Sequence, residues 1–130
     1  MKINIPRDIK NELIAAAKDY PVVTITGPRQ AGKTTLVRET FPGMPRVSLE
    51  DLDERDFATS DPRGFLARFP EGAIFDEIQR VPTLLSYIQT LVDEIQKPGM
   101  FILTGSHQVE LSAAITQSLA GRTALLKLLP

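Results

Sequence analysis

Apolar residues in this chain fall into two rhythms that take turns. Short unbroken runs, such as VVTIT at 22–26, AIF at 73–75 and MFIL at 100–103, have the character of strands buried on both faces. Between them, apolar residues recur every three or four positions, the spacing of a helix with one buried side. Ile9, Leu13 and Ile14 follow Asp8, which reads as a helix cap, and Tyr20-Pro21 closes that helix. Lys33 to Glu39 reads as a second helix, ending near FPGMP, and Arg46 to Glu50 as a strand. The acids Glu50, Asp51, Asp53 and Glu54 then suit the positive end of a helix dipole. Asp61-Pro62 marks a further start, with Phe65, Leu66 and Phe69 on one face.

Gly72 to Glu77 predicts a strand that stops on two acids. Leu84, Leu85, Ile88, Leu91, Val92 and Ile95 keep helical spacing until KPG breaks it. MFILTGS is the next strand. Leu111, Ile115 and Leu119 mark a last helix, stopped at Gly121, before a fifth strand in TALLKLL. Strands alternating with helices predict an α/β domain, here a single one over residues 1–130, whose parallel sheet is covered on both faces.

Composition narrows the class without choosing a function. The 130 residues suffice for one compact core, and 15 Lys plus Arg stand against 16 Asp plus Glu. That balance gives no electrostatic footprint for nucleic acid or an acidic membrane face. Absence of cysteine excludes disulfides and thiolate metal sites. No stretch approaches the ~20 apolar residues of a bilayer span, and the N-terminus lacks a signal-peptide core. The expectation is a cytoplasmic domain.

One stretch changes that picture. Gly27-Pro-Arg-Gln-Ala-Gly32-Lys33-Thr34 fits G-x-x-x-x-G-K-[ST] and lies between a predicted strand and a predicted helix. Glycines let the backbone wrap an anion with its N–H groups inward, and the helix tip adds unsatisfied donors and partial positive charge. Gly27, Pro28, Gln30, Ala31, Gly32, Lys33, Thr34 and Thr35 are the expected nucleotide-binding set. Lys33 would reach the β- and γ-phosphates, and the Thr34 hydroxyl would ligate Mg²⁺. The Arg29 and Gln30 side chains have no assigned chemistry.

A phosphate loop calls for an acid at the end of an apolar strand, close to the metal. AIFDE supplies Asp76 as the metal-side acid and Glu77 as the general base for an attacking water. An inert fold gains little from adjacent carboxylates at one strand tip, although they could cap the next helix. LTGSH ends the fourth strand at the carboxyl edge, where open α/β sheets bind ligands. There Ser106 is the expected orienting hydroxyl, preferred over Thr104. His107 reads as turn or cap material. Arg122 could stabilise charge at a site or form an ordinary ion pair, and the ion pair is preferred. Asp93 and Glu94 read as a solvated helix face.

PVVTITGPRQAGKTTL, AIFDEIQRVPTLLSYIQTLVDE, FILTGSHQ and SLAGRTALLKLLP together resemble the N-terminal ATPase domain of a bacterial and archaeal AAA-plus-type family. In that family the domain precedes a C-terminal domain of unknown function. The resemblance implies a three-layer P-loop NTPase sandwich with strand order 5-1-4-3-2. It also implies Lys33 and Thr34 on phosphate and Mg²⁺, Asp76 and Glu77 as the Walker B pair, and a polar sensor in TGSHQ. Arg7 and Asp8 fall in the segment that passes near adenine in such proteins. Adenine is the implied base, and no Asn-Lys-x-Asp guanine signature occurs. Family members continue into a helical lid, and these 130 residues are expected to hold the core without it.

Three functions compete at this level. The first is binding and slow hydrolysis of Mg-ATP, with Glu77, Lys33 and Ser106 catalytic. The second is a nucleotide-dependent module that signals to a protein partner or to a second copy of itself, with negligible turnover. The third is a small-molecule kinase, disfavoured because no Arg-bearing lid insertion follows the fourth strand.

Overall fold

The structure, a computed structural model, describes residues 7–29, 31–106 and 108–128. Its elements run α1 (Arg7–Asp19), β1 (Val22–Thr26), α2 (Lys33–Thr40), β2 (Arg46–Ser48), α3 (Leu52–Ser60), α4 (Pro62–Ala67) and β3 (Ala73–Asp76). A 3₁₀ turn at Ile78–Arg80 leads to α5 (Leu84–Ile95), β4 (Phe101–Gly105), α6 (Gln108–Leu119) and β5 (Thr123–Lys127). The strands form one parallel sheet in the order β2-β3-β4-β1-β5. Read from the other edge, this is the 5-1-4-3-2 order of a P-loop NTPase.

Alternation along each strand builds two cores. Val23, Ile25, Ile74 and Ile102 face Leu13 of α1 and Leu36 and Val37 of α2. Val22, Ala73, Phe75, Phe101 and Leu103 face the other way, against Phe65, Leu84, Leu85, Ile88 and Leu111 of the remaining helices. The second core is the aromatic one: Phe75 packs on Phe65, Phe69 and Phe101 with ring centroids 5.4–5.6 Å apart. Burial of each such side chain contributes about 1.5–3 kcal/mol, so the inner strands carry most of the packing on both faces of the sheet.

Several boundaries move from their expected places. Asp8 lies inside the first turn of α1, because the helix already begins at Arg7. Ile14 is largely exposed, since the face of α1 that meets the sheet is centred on Leu13. Ile95 is likewise exposed at the end of α5. The strand expected at 46–50 is shorter, because Glu50 already turns towards α3, whose cap is Asp51 accepting from the N–H groups of Asp53 and Glu54. Asp61 caps α4 as expected, accepting from Gly64 N–H. Phe69 falls beyond the end of α4 yet still packs on the aromatic core. The strand expected at 72–77 spans only 73–76, with Glu77 outside it.

Register is what makes an edge into a site. Thr26 pairs with Gly105, and Ser48 with Asp76. The carboxyl ends of four strands therefore finish level, and the segments that leave them meet in one place.

Candidate functional site at the carboxyl edge of the sheet

The loop between β1 and α2 is shaped by its two glycines. At Gly27 a Cβ would collide with the Leu128 carbonyl oxygen, so backbone passes backbone there with no room for a side chain. Gly32 takes the N-cap position of α2 with φ 88°, a left-handed conformation that costs glycine little and other residues more. No side chain caps this helix. Its first-turn N–H groups are therefore left for an anion.

Lys33 folds back under the loop. Its Nζ donates to the carbonyl oxygens of Gly27 and Pro28, at 2.7 Å each, and to Ser106 Oγ at 3.4 Å. The residue is 3% exposed. Burial lowers the pKa of its ammonium, with Arg29 adding to the effect, and nearby Glu77 and Asp76 offset only part of it.

Ser106 joins the lysine to the acids. Its hydroxyl contacts both carboxylate oxygens of Glu77, at 2.7 and 3.0 Å, and Gln79 Nε2 donates to Oε2 at 2.7 Å. Burial pushes the Glu77 pKa up. The bonds from Ser106 and Gln79, together with the charges of Lys33 and Arg29, outweigh it and hold the carboxyl below the ordinary glutamate range. The backbone of Glu77 is left-handed as well, at φ 59° and ψ 51°. For a non-glycine residue that conformation is uncommon and costs of order 1–3 kcal/mol, and it persists where surrounding contacts over-determine it. Here the contacts are those of the carboxylate and of Glu77 N–H, which donates to Thr104 Oγ1 at 3.2 Å.

Asp76 is the last residue of β3 and is 2% exposed. Strand alternation puts its side chain on the face of Ile74, the face covered by α2, whose first turn carries Thr34 and Thr35. Oδ1 accepts from Thr104 Oγ1 at 3.0 Å, and Oδ2 is held by Arg46 Nε from the neighbouring strand. Thr104 thus touches both acids. It belongs to the site as fully as Ser106, the residue preferred from sequence.

Arg46 is a neighbour of the candidate site that motif reasoning missed. The signal was present in topology: with β2 beside β3, Arg46 lies across from Ile74, two positions before Asp76 on the same face. Glu50, expected to serve only the start of α3, instead accepts from Arg29 at 2.7 and 2.9 Å and lies 3.7 Å from Arg80. It ties the phosphate loop to the segment after Glu77. Arg122 forms the expected ion pair, a two-pronged one with Asp93 at 2.7 and 2.9 Å, at the opposite end of the sheet. Asp8 is exposed. The side chain of Arg7, and Gln30 and His107 altogether, lie outside the described residues.

The donor set suits Mg²⁺ held in part by a substrate. Among the described residues no group of three or more His, Cys, Asp or Glu is arranged to hold a metal ion by itself. A buried acid beside a hydroxyl-bearing helix tip is instead the kind of partial cage that Mg²⁺ completes with phosphate oxygens and water.

Comparison with known proteins decides the family. A model described as "AAA domain" matches residues 19–130. The chain belongs to the AAA domain family. Two curated relatives, the uncharacterized proteins Mb2031c of Mycobacterium bovis and Rv2008c of Mycobacterium tuberculosis, are each 37% identical over 123 residues. The match covers 94% of this chain but only 28% of either relative. Among solved structures, a Walker-type ATPase of Pyrococcus abyssi superposes with TM-score 0.66 at 20% identity, covering 98% of this chain and 54% of that one. A DNA replication initiation factor superposes with TM-score 0.59 at 16% identity, over 93% and 44%. At these identities the structures speak for the fold. The AAA fold at this length is that of a nucleotide-binding ATPase core, and no helix among the described residues is long and apolar enough to cross a membrane.

Proposed function

We propose that this domain binds Mg-ATP at the carboxyl edge of its sheet and hydrolyses it slowly, as the ATPase core of a larger AAA protein. The observation that carries the proposal is the single buried network from Lys33 through Ser106 to Glu77, set at the tip of an uncapped helix. Main-chain N–H groups of residues 32–35, at the uncapped start of α2, and the Lys33 ammonium would bind the β- and γ-phosphates. Thr34 and Asp76 would hold Mg²⁺, which when bound offsets the charge that builds on the phosphate oxygens. Glu77 would accept the proton of an attacking water, with Ser106 aiming its carboxylate.

The depressed pKa of Glu77 keeps it ionised at neutral pH and also makes it a weak proton acceptor. Weak basicity fits slow turnover. Adenine over guanine and a cytoplasmic setting belong to the same proposal.

Lys33→Ala is expected to abolish ATP binding in a calorimetric titration. Glu77→Gln should bind ATP normally while losing roughly 10²–10⁴-fold in turnover. Undiminished Mg-ATP affinity in Lys33→Ala would refute the site.

A second reading has its own support, because Lys33 and Glu77 are both engaged by internal partners. Nucleotide binding would have to redirect Lys33, and that rearrangement could itself be the output, passed to a protein partner or a second copy. Robust steady-state hydrolysis by the purified chain rules this reading out.

A further inference from the structure

Arg46 stands where a metal-ligating acid would be expected to meet its metal. Asp76 is an almost fully buried carboxylate, and such a group requires a cation or several donors. In this arrangement the cation is the Arg46 guanidinium, reaching across from the edge strand β2. Its side chain is also half-free: 35% of it is exposed. Beside it opens a cleft of 480 Å³ lined by Thr35, Arg38, Phe41, Met44 and Arg46, which leaves the guanidinium room to withdraw.

We propose that Arg46 is the residue that sets the magnesium affinity of this site, a resident cation on Asp76 that Mg-nucleotide must displace. The inference rests on the ATP reading above. Its physical basis is that two cations on one carboxylate repel each other and compete for the same lone pairs. Coupling is reciprocal: Arg46 weakens the metal, and the metal loosens Arg46. Loosening matters beyond the site, because Arg46 opens a three-residue edge strand paired only with β3. Beyond that strand lies Glu50, which holds Arg29 of the phosphate loop and faces Arg80. The occupancy of Asp76 is thereby wired to the sheet edge.

The test is the free-magnesium dependence of ATP binding, followed by calorimetry on the purified chain. Arg46→Gln removes the competing charge and is expected to reach half-saturation at about tenfold lower magnesium, within the usual range of site-to-site coupling. Arg46→Lys keeps the charge and should stay near wild type. Equal magnesium dependence in wild type and Arg46→Gln overturns the inference while leaving ATP binding intact. So does Arg46→Lys behaving like Arg46→Gln, since bulk rather than charge would then matter. No ATP binding by wild type at any magnesium level sinks the functional proposal, and this inference with it.

A wild-type readout guards against a variant that does not fold. The Arg46 Nε–H resonance, assigned by its loss in Arg46→Lys, should be shifted and slow to exchange in chelator, with or without ATP. It should move to the position of a free arginine on adding Mg-ATP. A resonance unmoved by Mg-ATP overturns the proposal.

Discussion

Two aspartate–arginine pairs sit at opposite ends of the same sheet, and they share little beyond their chemistry. At the carboxyl edge Asp76 has a side chain 3% exposed and meets Arg46 across adjacent strands. At the amino edge Asp93 is 47% exposed and meets Arg122 between a helix end and the start of β5. The first pair is enclosed by Thr104 and the Glu77 network, and the second is washed by water. An ion pair therefore says little about function until its solvent is known. Desolvation makes the Asp76 pair a poised element, in which removing or replacing one partner has consequences. Exposure makes the Asp93 pair a surface ornament.

The sharpest way to test that contrast is to neutralise one arginine with metal excluded. Arg46→Gln leaves Asp76 buried with only Thr104 as a partner. We expect a loss of about 3 kcal/mol in urea unfolding, the cost of a buried charge deprived of its partner. Adding Asp76→Asn should recover most of that loss, since no uncompensated charge remains. Failure of the second substitution to compensate would mean that Arg46 acts through packing of its stem instead.

The contrast also separates what the chain's pattern discloses from what it withholds. The phosphate loop was legible because its fixed positions are constrained together: Gly27 by close approach, Gly32 by its left-handed backbone, and Lys33 and Thr34 by the chemistry expected of them. The parallel sheet was legible because its inner strands β1, β3 and β4 are buried throughout and read as largely apolar runs. Arg46 was not legible by motif, because its role comes from lying beside β3, a relation that only strand order supplies. Thr104 was passed over for a related reason. As a strand residue it looked like sheet material, yet its hydroxyl links the Asp76 carboxylate to the main-chain N–H of Glu77. The left-handed backbone of Glu77 carries no local signal either, because glutamate does not announce that conformation as glycine would. It is over-determined by tertiary contacts instead.

A smaller effect is expected from pH, and its sign follows from the Glu77 environment. The pKa of Glu77 is lower in the folded chain than in an unfolded one. Its contribution to stability is therefore fully present above the ordinary glutamate range and is lost as pH falls through the folded value. Wild type and Glu77→Gln should accordingly converge in stability below that window and separate above it, followed by unfolding midpoints at a series of pH values. Lys33 runs the other way. With its pKa lowered on folding, the unfolded chain binds the extra proton, so stability rises with pH up to the ordinary lysine range. Lys33→Met should flatten that rise.

The smallest expected effect belongs to the amino-edge pair, and it still decides something. Arg122 bonding holds the Asp93 carboxyl below its usual range, and the same bond raises Arg122. Linkage alone would turn that shift into stability above the ordinary aspartate range, lost on acidification. Both groups are open to solvent, however, and water and salt take back most of what such a pair gains. Asp93→Asn should leave the thermal midpoint unchanged within error at moderate salt, and raising salt should not separate it from wild type. A clear drop in the midpoint for Asp93→Asn, persisting in high salt, would instead show that α5 and β5 are locked together by this pair, and exposure would no longer be the property that divides the two ends of the sheet.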